Sequence, residues 1–169
     1  MQEQLSLFKI GGPGVVVQID EAKFGRRKYN RGRLVEGHWL LGMIADGSDD
    51  LRLEVCPNNE RTSAVLAPLI QKHVAPGSII HTDGWRAYRM LTSLGYDHRV
   101  VNHSHEFVAP DGTHTQRIEA SWRPLRRFLR GKNVPQEDFA DHVVVYLWRR
   151  HCRLFNTHPF ESLINALAA

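Results

Sequence analysis

The chain has 169 residues, 42% of them hydrophobic and 24% charged, with a formal net charge of +4 at pH 7. This length and composition predict one compact globular domain and exclude a disordered chain. No apolar run reaches the roughly 20 residues that span a bilayer and the N-terminus has no signal-peptide pattern, so we expect an intracellular protein without a membrane partner.

The first part of the chain is predicted to hold three antiparallel strands. The β-branched run VVVQI at residues 15–19 predicts a first strand that stops at Asp20. Two further strands are predicted at His38–Ala45 and Leu51–Val55, joined by the turn DGSDD. Strands connected by short turns form a meander.

Helices and strands alternate in the rest of the chain. Apolar spacing and turn residues predict helices at residues 62–73, 85–94, 113–129 and 136–155, and strands at residues 78–82 and 97–101. The order βββαβαβαα predicts an α/β fold with a five-stranded mixed sheet and helices on both faces. We expect this domain over residues 15–169, after a leader or linker remnant of residues 1–14.

Two helices carry apolar stripes that predict their buried faces. The stripe of the third helix is Ile118, Trp122, Leu125 and Leu129. In the fourth helix it is Val143, Val144, Leu147 and Leu154. Pro124 should bend the third helix near Ala120.

Three acidic residues have positions that indicate chemistry. Asp20 follows the first strand and Asp83 follows the fourth, and ligands of open α/β sheets collect at the carboxyl ends of strands. Glu119 lies beside the apolar stripe of the third helix and shares a face with three arginines. These arginines are Arg123, Arg126 and Arg130. The alternatives are aspartates that cap turns and a solvated ion pair between Glu119 and Arg123.

A basic segment, GRRKYNRGR, follows the first strand. Its cations are Arg26, Arg27, Lys28, Arg31 and Arg33. They are candidate phosphate contacts, with a solvated loop as the alternative. The last predicted helix carries three more arginines that are either DNA contacts or part of a solvated face: Arg149, Arg150 and Arg153.

Aromatic residues, histidines and cysteines leave further alternatives. Trp85 and Tyr88 follow Asp83 and either stack on an unpaired base or pack their helix on the sheet. A zinc set is conceivable at His103, His105 and His114. The other interpretation is that His81 and His114 orient carboxylates or phosphate. Cys56 and Cys152 belong to no CxxC or CxxH motif, which predicts reduced, buried thiols.

The chain resembles the catalytic domain of Merlin superfamily DNA transposases and their bacterial insertion-sequence relatives. The likeness runs from residue 15 to the C-terminus through VVVQIDEAKFGRRKYNRGRLVEGHWLLGMI, IIHTDGWRAY, VNHSHEFV and GTHTQRIEASWRPLRRFLR. It implies a ribonuclease-H-like fold. It also implies a D-D-E catalytic triad of Asp20, Asp83 and Glu119.

The resemblance implies cleavage of phosphodiesters at transposon ends and transfer of the 3′-OH strand into target DNA. Two Mg²⁺ ions, with Mn²⁺ as a substitute, would stabilise the attacking and leaving oxygens, and carboxylates suit such hard cations. Asp20 would bridge both ions, while Asp83 and Glu119 would each complete one site. The expected partners are DNA and further copies of the chain in a synaptic complex.

Two other functions fit the same residues: a domesticated DNA-binding protein without transposition activity, and a cellular ribonuclease-H-like nuclease. The nucleus is the expected location if the chain is eukaryotic, and the cytoplasm if it is bacterial. Few residues precede the first strand, so we expect either a fragment or DNA-end recognition by another component.

Overall fold

The structure, a computed structural model, describes residues 8–25, 37–101, 112–132, 134–135 and 137–168. The chain forms two compact units, which divide between Arg123 and Pro124. Within the described ranges, no helix has the length and apolar character needed to cross a membrane.

A five-stranded mixed sheet forms the centre of the unit that comprises Phe8–Arg123. Its strands are β2 (Val16–Phe24), β3 (His38–Ala45), β4 (Leu51–Val55), β6 (Ile79–Asp83) and β7 (Asp97–Val101). Their spatial order is β4-β3-β2-β6-β7. The β2/β3 and β3/β4 pairs are antiparallel, and the β2/β6 and β6/β7 pairs are parallel. The predicted meander and mixed sheet are confirmed.

A second, two-stranded sheet was not predicted. It pairs β1 (Ile10–Gly11) in parallel with β5 (Val74–Ala75). Two-residue strands are too short to show an alternating pattern in the sequence. The pair is reinforced by the hydroxyl of Ser78, which accepts a hydrogen bond from the Gly12 amide at 2.9 Å.

The helices agree with the predictions in the longer segments. They are α1 (Ser63–His73), α2 (Met90–Ser93), α3 (Gln116–Leu129), α4 (Phe139–Leu154) and α5 (Pro159–Leu167). The predicted helix at residues 85–94 is in fact a 3₁₀ turn, Arg86–Arg89, that leads into the four-residue α2. The last helix, α5, was not predicted, although His158 caps it and Pro159 occupies its first turn.

Side-chain alternation assigns the two faces of the sheet. Val17 and Ile19 of β2 belong to one buried cluster, which also contains Leu66 and Ile70 of α1 and Leu91 of α2. The intervening residues of β2 point to the other face, since successive strand residues alternate. There Phe24 packs edge-on against Trp122 of α3, with 5.8 Å between ring centroids. Helices therefore cover both faces, as predicted.

The buried stripe of α3 is confirmed except at Leu129, which is half-buried, and that of α4 is only partly right. Ile118 and Leu125 are fully buried and Trp122 is nearly so. In α4, Val143 is buried, whereas Val144 and Leu154 are 37% and 46% exposed. The face that α4 buries contains Phe139, Val143, Tyr146 and Cys152. Apolar residues occupy more than one side of this helix, so the pattern did not fix which side is covered.

Both cysteines are buried free thiols, as predicted. Burial is the main reason that the pKa of Cys56 is raised to about 11. This thiol is therefore protonated and unreactive at neutral pH.

Candidate active site

Asp20 lies within β2 and not at its end, which corrects the sequence-based boundary. The strand continues to Phe24 because β3 pairs with it over the whole length from Val17↔Ala45 to Phe24↔His38. Backbone pairing with a long partner thus outweighed the low strand propensity of the Asp20-Glu21 dipeptide. The parallel pairing of β2 with β6, in contrast, ends at Gln18↔His81.

Asp20 and Asp83 occupy equivalent positions on adjacent strands. Each lies two residues beyond the Gln18↔His81 pair, so both side chains point to the face on which Gln18 and His81 lie. Asp83 is the last residue of β6, and its Oδ1 accepts a hydrogen bond from the Trp85 amide at 2.9 Å. The expected juxtaposition at the end of the parallel pairing is therefore present.

The third helix lies directly over this face. Trp122 donates a hydrogen bond from Nε1 to Oδ2 of Asp20 at 2.7 Å. Gly42 pairs with Asp20 on β3, and a Cβ atom at that glycine would lie 2.5 Å from the Trp122 ring and 2.8 Å from Ile118. The glycine thus permits the close approach of α3 that brings Trp122 to Asp20.

Glu119 lies in the first turn of α3, one turn before Trp122. It is exposed, and its Oε1 accepts a hydrogen bond from the buried hydroxyl of Thr115 at 2.6 Å. The third predicted carboxylate therefore lies on the helix that covers Asp20, at an exposed position.

Gln18 fixes the start of α3 on the sheet. Its buried side-chain Oε1 accepts hydrogen bonds from the amides of Arg117 and Ile118, at 2.9 and 3.3 Å. Its Nε2 donates to Oδ1 of Asp46 at 2.7 Å. Because these amides belong to the first turn of α3, which also carries Glu119, Gln18 holds the backbone of that turn against β2. A glutamine inside an otherwise apolar strand is the one feature of the sequence that could have indicated this role.

Burial and neighbouring carboxylates shape the electrostatics of Asp20. Its pKa is raised to about 6, first by burial, against which the Trp122 hydrogen bond acts. The negative charges of Glu21, Asp83 and Glu119 raise the pKa further. The other two predicted carboxylates therefore act electrostatically on Asp20, and a bound cation would relieve this repulsion.

The donor set suits a hard divalent cation, because it consists of carboxylate oxygens that repel one another. In the described part of the chain, however, no three His, Cys, Asp or Glu side chains are grouped as ready ligands for a metal ion. The carboxylates are of the right chemical type for such an ion and influence Asp20 electrostatically. They do not form a preformed three-ligand site among the described residues.

Glu21 is a buried carboxylate that was not among the predicted site residues. It points to the opposite face of the sheet from Asp20. The Tyr88 hydroxyl donates a hydrogen bond to its Oε2, and Arg61 forms an ion pair with its Oε1 at 3.0 Å. Burial is the largest cause of its raised pKa. Side-chain alternation along β2 places Glu21 on the face that packs in the core, and an acidic residue at such a position is the one sequence feature that could have indicated its role.

The conceivable zinc set of His103, His105 and His114 falls mostly outside the described residues. His103 and His105 lie outside the part of the chain that the structure describes. His114 contacts Gln18 Nε2 through Nδ1 at 3.2 Å, and its carbonyl oxygen lies 3.3 Å from His81 Nδ1. His81 is buried, and burial lowers its pKa. The two histidines therefore support the Gln18 network beneath the start of α3.

The other candidate residues have mixed outcomes. Tyr88 is fully buried, so it packs the 3₁₀ turn on the sheet, whereas Trp85 is 37% exposed. Arg123, Arg126 and Arg130 are all exposed. The basic residues Arg26, Arg27, Lys28, Arg31 and Arg33 lie outside the described ranges.

The sheet order, the helices on both faces and the acidic residues on the α3 face define a ribonuclease-H-like α/β protein. Residues 11–148 match the model of the ISXO2-like transposase domain family, and the chain belongs to that family. The predicted relationship to insertion-sequence transposases is thereby confirmed.

The chain is also similar to one further protein and to two solved structures. A transposase-like protein of Haemophilus influenzae is 33% identical over 114 residues, which cover 67% of this chain and 86% of the relative. The catalytic core domain of BIV integrase has a TM-score of 0.49 at 15% identity, covering 90% of this chain and 95% of that one. A chain of the simian T-cell lymphotropic virus intasome structure has a TM-score of 0.46 at 18% identity. That match covers 80% of this chain and 48% of the other.

Proposed function

We propose that the chain is the catalytic domain of a DNA transposase, which cleaves phosphodiesters at element ends and transfers the 3′-OH strand into target DNA. The observation that carries this proposal is the equivalent placement of Asp20 and Asp83 on adjacent parallel strands, beneath the helix that bears Glu119. Membership of a transposase family supports the reaction class.

The three carboxylates would hold two Mg²⁺ ions, with Asp20 shared between them and Asp83 and Glu119 each completing one site. Such ions supply Lewis-acid stabilisation of the attacking and leaving oxygens of a phosphodiester. Trp122 orients Asp20 by engaging Oδ2. Gln18 holds α3 so that Glu119 stays near the sheet.

DNA is the proposed substrate, and the arginines on and after α3 are proposed to follow its backbone. Arg123, Arg126 and Arg130 extend from Glu119 at helical spacing and are exposed. The basic segment after β2 is a second proposed contact. A transposase joins two DNA ends, so we propose that the active form is a homo-oligomer.

The narrower relationship to Merlin elements remains a proposal, supported by the order of the segments that carry the acidic residues. The relative from Haemophilus influenzae is bacterial. It favours the bacterial alternative, and with it the cytoplasm, over the nucleus.

The reaction is tested by incubating the protein with a pre-cut transposon end, a target plasmid and Mn²⁺, and measuring joined products on a gel. Asp20→Asn, Asp83→Asn and Glu119→Gln should each lower joining by at least about 100-fold, because each removes a carboxylate that would hold the Mg²⁺ ions. Asp97→Asn, an exposed substitution on β7, is the matched control and should retain joining. Wild-type hydrolysis without joining would identify a nuclease instead.

Metal binding is tested separately from catalysis. Mg²⁺ should raise the melting temperature of the wild type, since a ligand that binds only the folded state stabilises it. The rise should be absent in Asp20→Asn, measured by differential scanning fluorimetry at matched ionic strength. An equal rise in both proteins would place the stabilising ion elsewhere.

A further inference from the structure

A cleft of about 560 Å³ opens immediately beyond Asp83. Its walls are the segment that leads into α1 and the 3₁₀ turn after β6. The lining residues are Glu60, Arg61, Thr62, Ser63, Trp85, Arg86, Ala87 and Arg89. A hydrogen bond from the Ser63 hydroxyl to the Ala87 carbonyl oxygen at 2.9 Å ties the two walls together. A volume of this size suits a small organic ligand and is too small for a double helix.

The cleft carries positive charge. Three arginines line it against a single acidic residue, Glu60. Arg86 and Arg89 are exposed, and no ion pair to either is present within the described ranges. The amino end of the 11-residue helix α1 lies in the same lining, and its N-cap residue Thr62 makes no side-chain capping hydrogen bond. Helix amides and arginines together favour a phosphate group.

Trp85 provides an aromatic surface that is held in place. The Arg61 guanidinium lies 4.3 Å from the Trp85 ring centroid and 4.0 Å from that of Trp39. The same guanidinium is anchored by its ion pair with buried Glu21. Trp85 is nevertheless 37% exposed. Because the ring is already ordered, stacking a second flat group on it costs little conformational entropy.

We propose that this cleft binds an unpaired nucleotide of single-stranded DNA. Its base stacks on Trp85, and its phosphate contacts Arg86, Arg89 and the amino end of α1. An exposed tryptophan beside arginines is a sequence-tolerant site for such strands. The inference rests on the proposed function, since the Trp85 amide binds Asp83 Oδ1 and thereby places the cleft beside a proposed catalytic carboxylate.

The test is fluorescence anisotropy with a fluorescein-labelled oligo(dT) of 12 nucleotides, in EDTA so that metal and catalysis play no part. Trp85→Leu should weaken binding about 5- to 100-fold, the range expected for the loss of one base–aromatic stack. Trp85→Phe should recover most of the affinity, because a phenyl ring can still stack. A blunt duplex of the same length should bind both variants equally.

The arginines are tested by the salt dependence of the same binding. The double variant Arg86→Gln with Arg89→Gln should reduce the slope of log affinity against log salt by about 0.7, the value for one phosphate of a single strand. Lys72→Gln with Arg99→Gln removes the same charge from exposed ion pairs elsewhere and is the matched control. It should leave the slope within about 0.3 of the wild type.

Three outcomes would overturn the cleft assignment: Trp85→Leu binding within about twofold of wild type, a Trp85→Phe variant no better than the leucine variant, or a control slope that falls as much as that of the cleft variant. Circular dichroism identifies any variant that does not fold, and the arginine variant then decides the question. If the wild type joins DNA but every cleft variant binds oligo(dT) as well as the wild type does, only the cleft assignment is rejected. If the cleft variants bind oligo(dT) more weakly but the wild type joins no DNA, only the transposase proposal is rejected.

Discussion

At the scale of single residues, the Asp20-Glu21 dipeptide places two carboxylates on opposite faces of β2. Asp20 meets Trp122 of α3, while Glu21 meets Tyr88 and Arg61. Only Glu21 has a cationic partner of its own in the described part of the chain. The difference in surroundings makes Glu21 a structural anchor and leaves Asp20 as the carboxylate that a cation would stabilise.

Asp20→Asn should stabilise the folded protein at neutral and alkaline pH. The pKa of Asp20 is raised from 3.8 to about 6 in the folded state, so the folded protein binds the Asp20 proton more tightly than the unfolded chain does. Protonated Asp20 therefore favours the folded state fully below about pH 3.8, and this stabilisation is lost as the pH rises through about 6. Removing the charge should therefore increase the free energy of unfolding by about 3 kcal/mol at pH 8. The gain should fade toward pH 4.

Urea unfolding at pH 4, 6 and 8, without divalent cations, measures this effect. Asp97→Asn is the control and should show no gain that grows with pH. A variant that is equally or less stable than the wild type at pH 8 would mean that Asp20 is not electrostatically strained.

At the scale of elements, Gly42 sets the distance between α3 and the sheet. Gly42→Ala should destabilise the protein by about 1–3 kcal/mol, because the new methyl group overlaps the rings and side chains that now pack there. It should also move the Trp122 indole away from Asp20. Thermal unfolding measures the first effect, and the tryptophan fluorescence spectrum, compared with that of Trp122→Phe, measures the second.

Gly47→Ala is a useful contrast to that variant, since nothing lies near a Cβ atom there but its φ is +74°. It should cost stability through backbone strain alone and leave the Trp122 fluorescence unchanged. An identical spectrum for wild type and Gly42→Ala would show that α3 does not depend on this close approach.

The edge strand β4 and the end of α1 are joined through Glu54. Its Oε1 accepts hydrogen bonds from Lys72 Nζ at 2.5 Å and from His73 Nε2 at 2.6 Å. Burial acts to raise the pKa of Glu54, but these two hydrogen bonds outweigh it and lower the pKa overall.

Glu54→Gln should therefore cost about 1–2 kcal/mol of unfolding free energy at pH 7. A lowered folded-state pKa gives stability that is present above the unfolded pKa of 4.5 and is lost as the pH falls through the folded value. The cost should thus shrink at pH 3, as measured by urea unfolding at both pH values. Equal destabilisation at pH 3 and pH 7 would contradict the assigned ion pairs.

At the scale of the whole molecule, the net charge of +4 predicts that the proposed DNA binding weakens as the salt concentration rises. The triple variant with Arg26, Arg27 and Arg31 replaced by alanine should reduce the salt slope for duplex DNA by about 0.9 for each arginine that contacts a phosphate. Filter binding from 50 to 300 mM salt measures the slope. An unchanged slope would remove the basic segment from the DNA contacts.

Most of the sheet was predictable from the sequence, for a physical reason. Three strands are contiguous runs whose own residues indicate a strand: His38–Ala45, Leu51–Val55 and Asp97–Val101. The two-residue pair β1/β5 carried no such pattern. The end of β2 was misplaced because strand pairing with β3, a non-local interaction, holds Asp20 and Glu21 in the sheet.

By itself, the sequence determined the order of the elements and the identity of the three acidic candidates, since these depend on local periodicity and on motif order. Only the tertiary structure decided which groups meet. The contacts of Gln18 with α3, of Trp122 with Asp20 and of Arg61 with two tryptophans join residues that are 22 to 102 positions apart. Such contacts follow from strand register and helix packing, which no local pattern of side chains encodes.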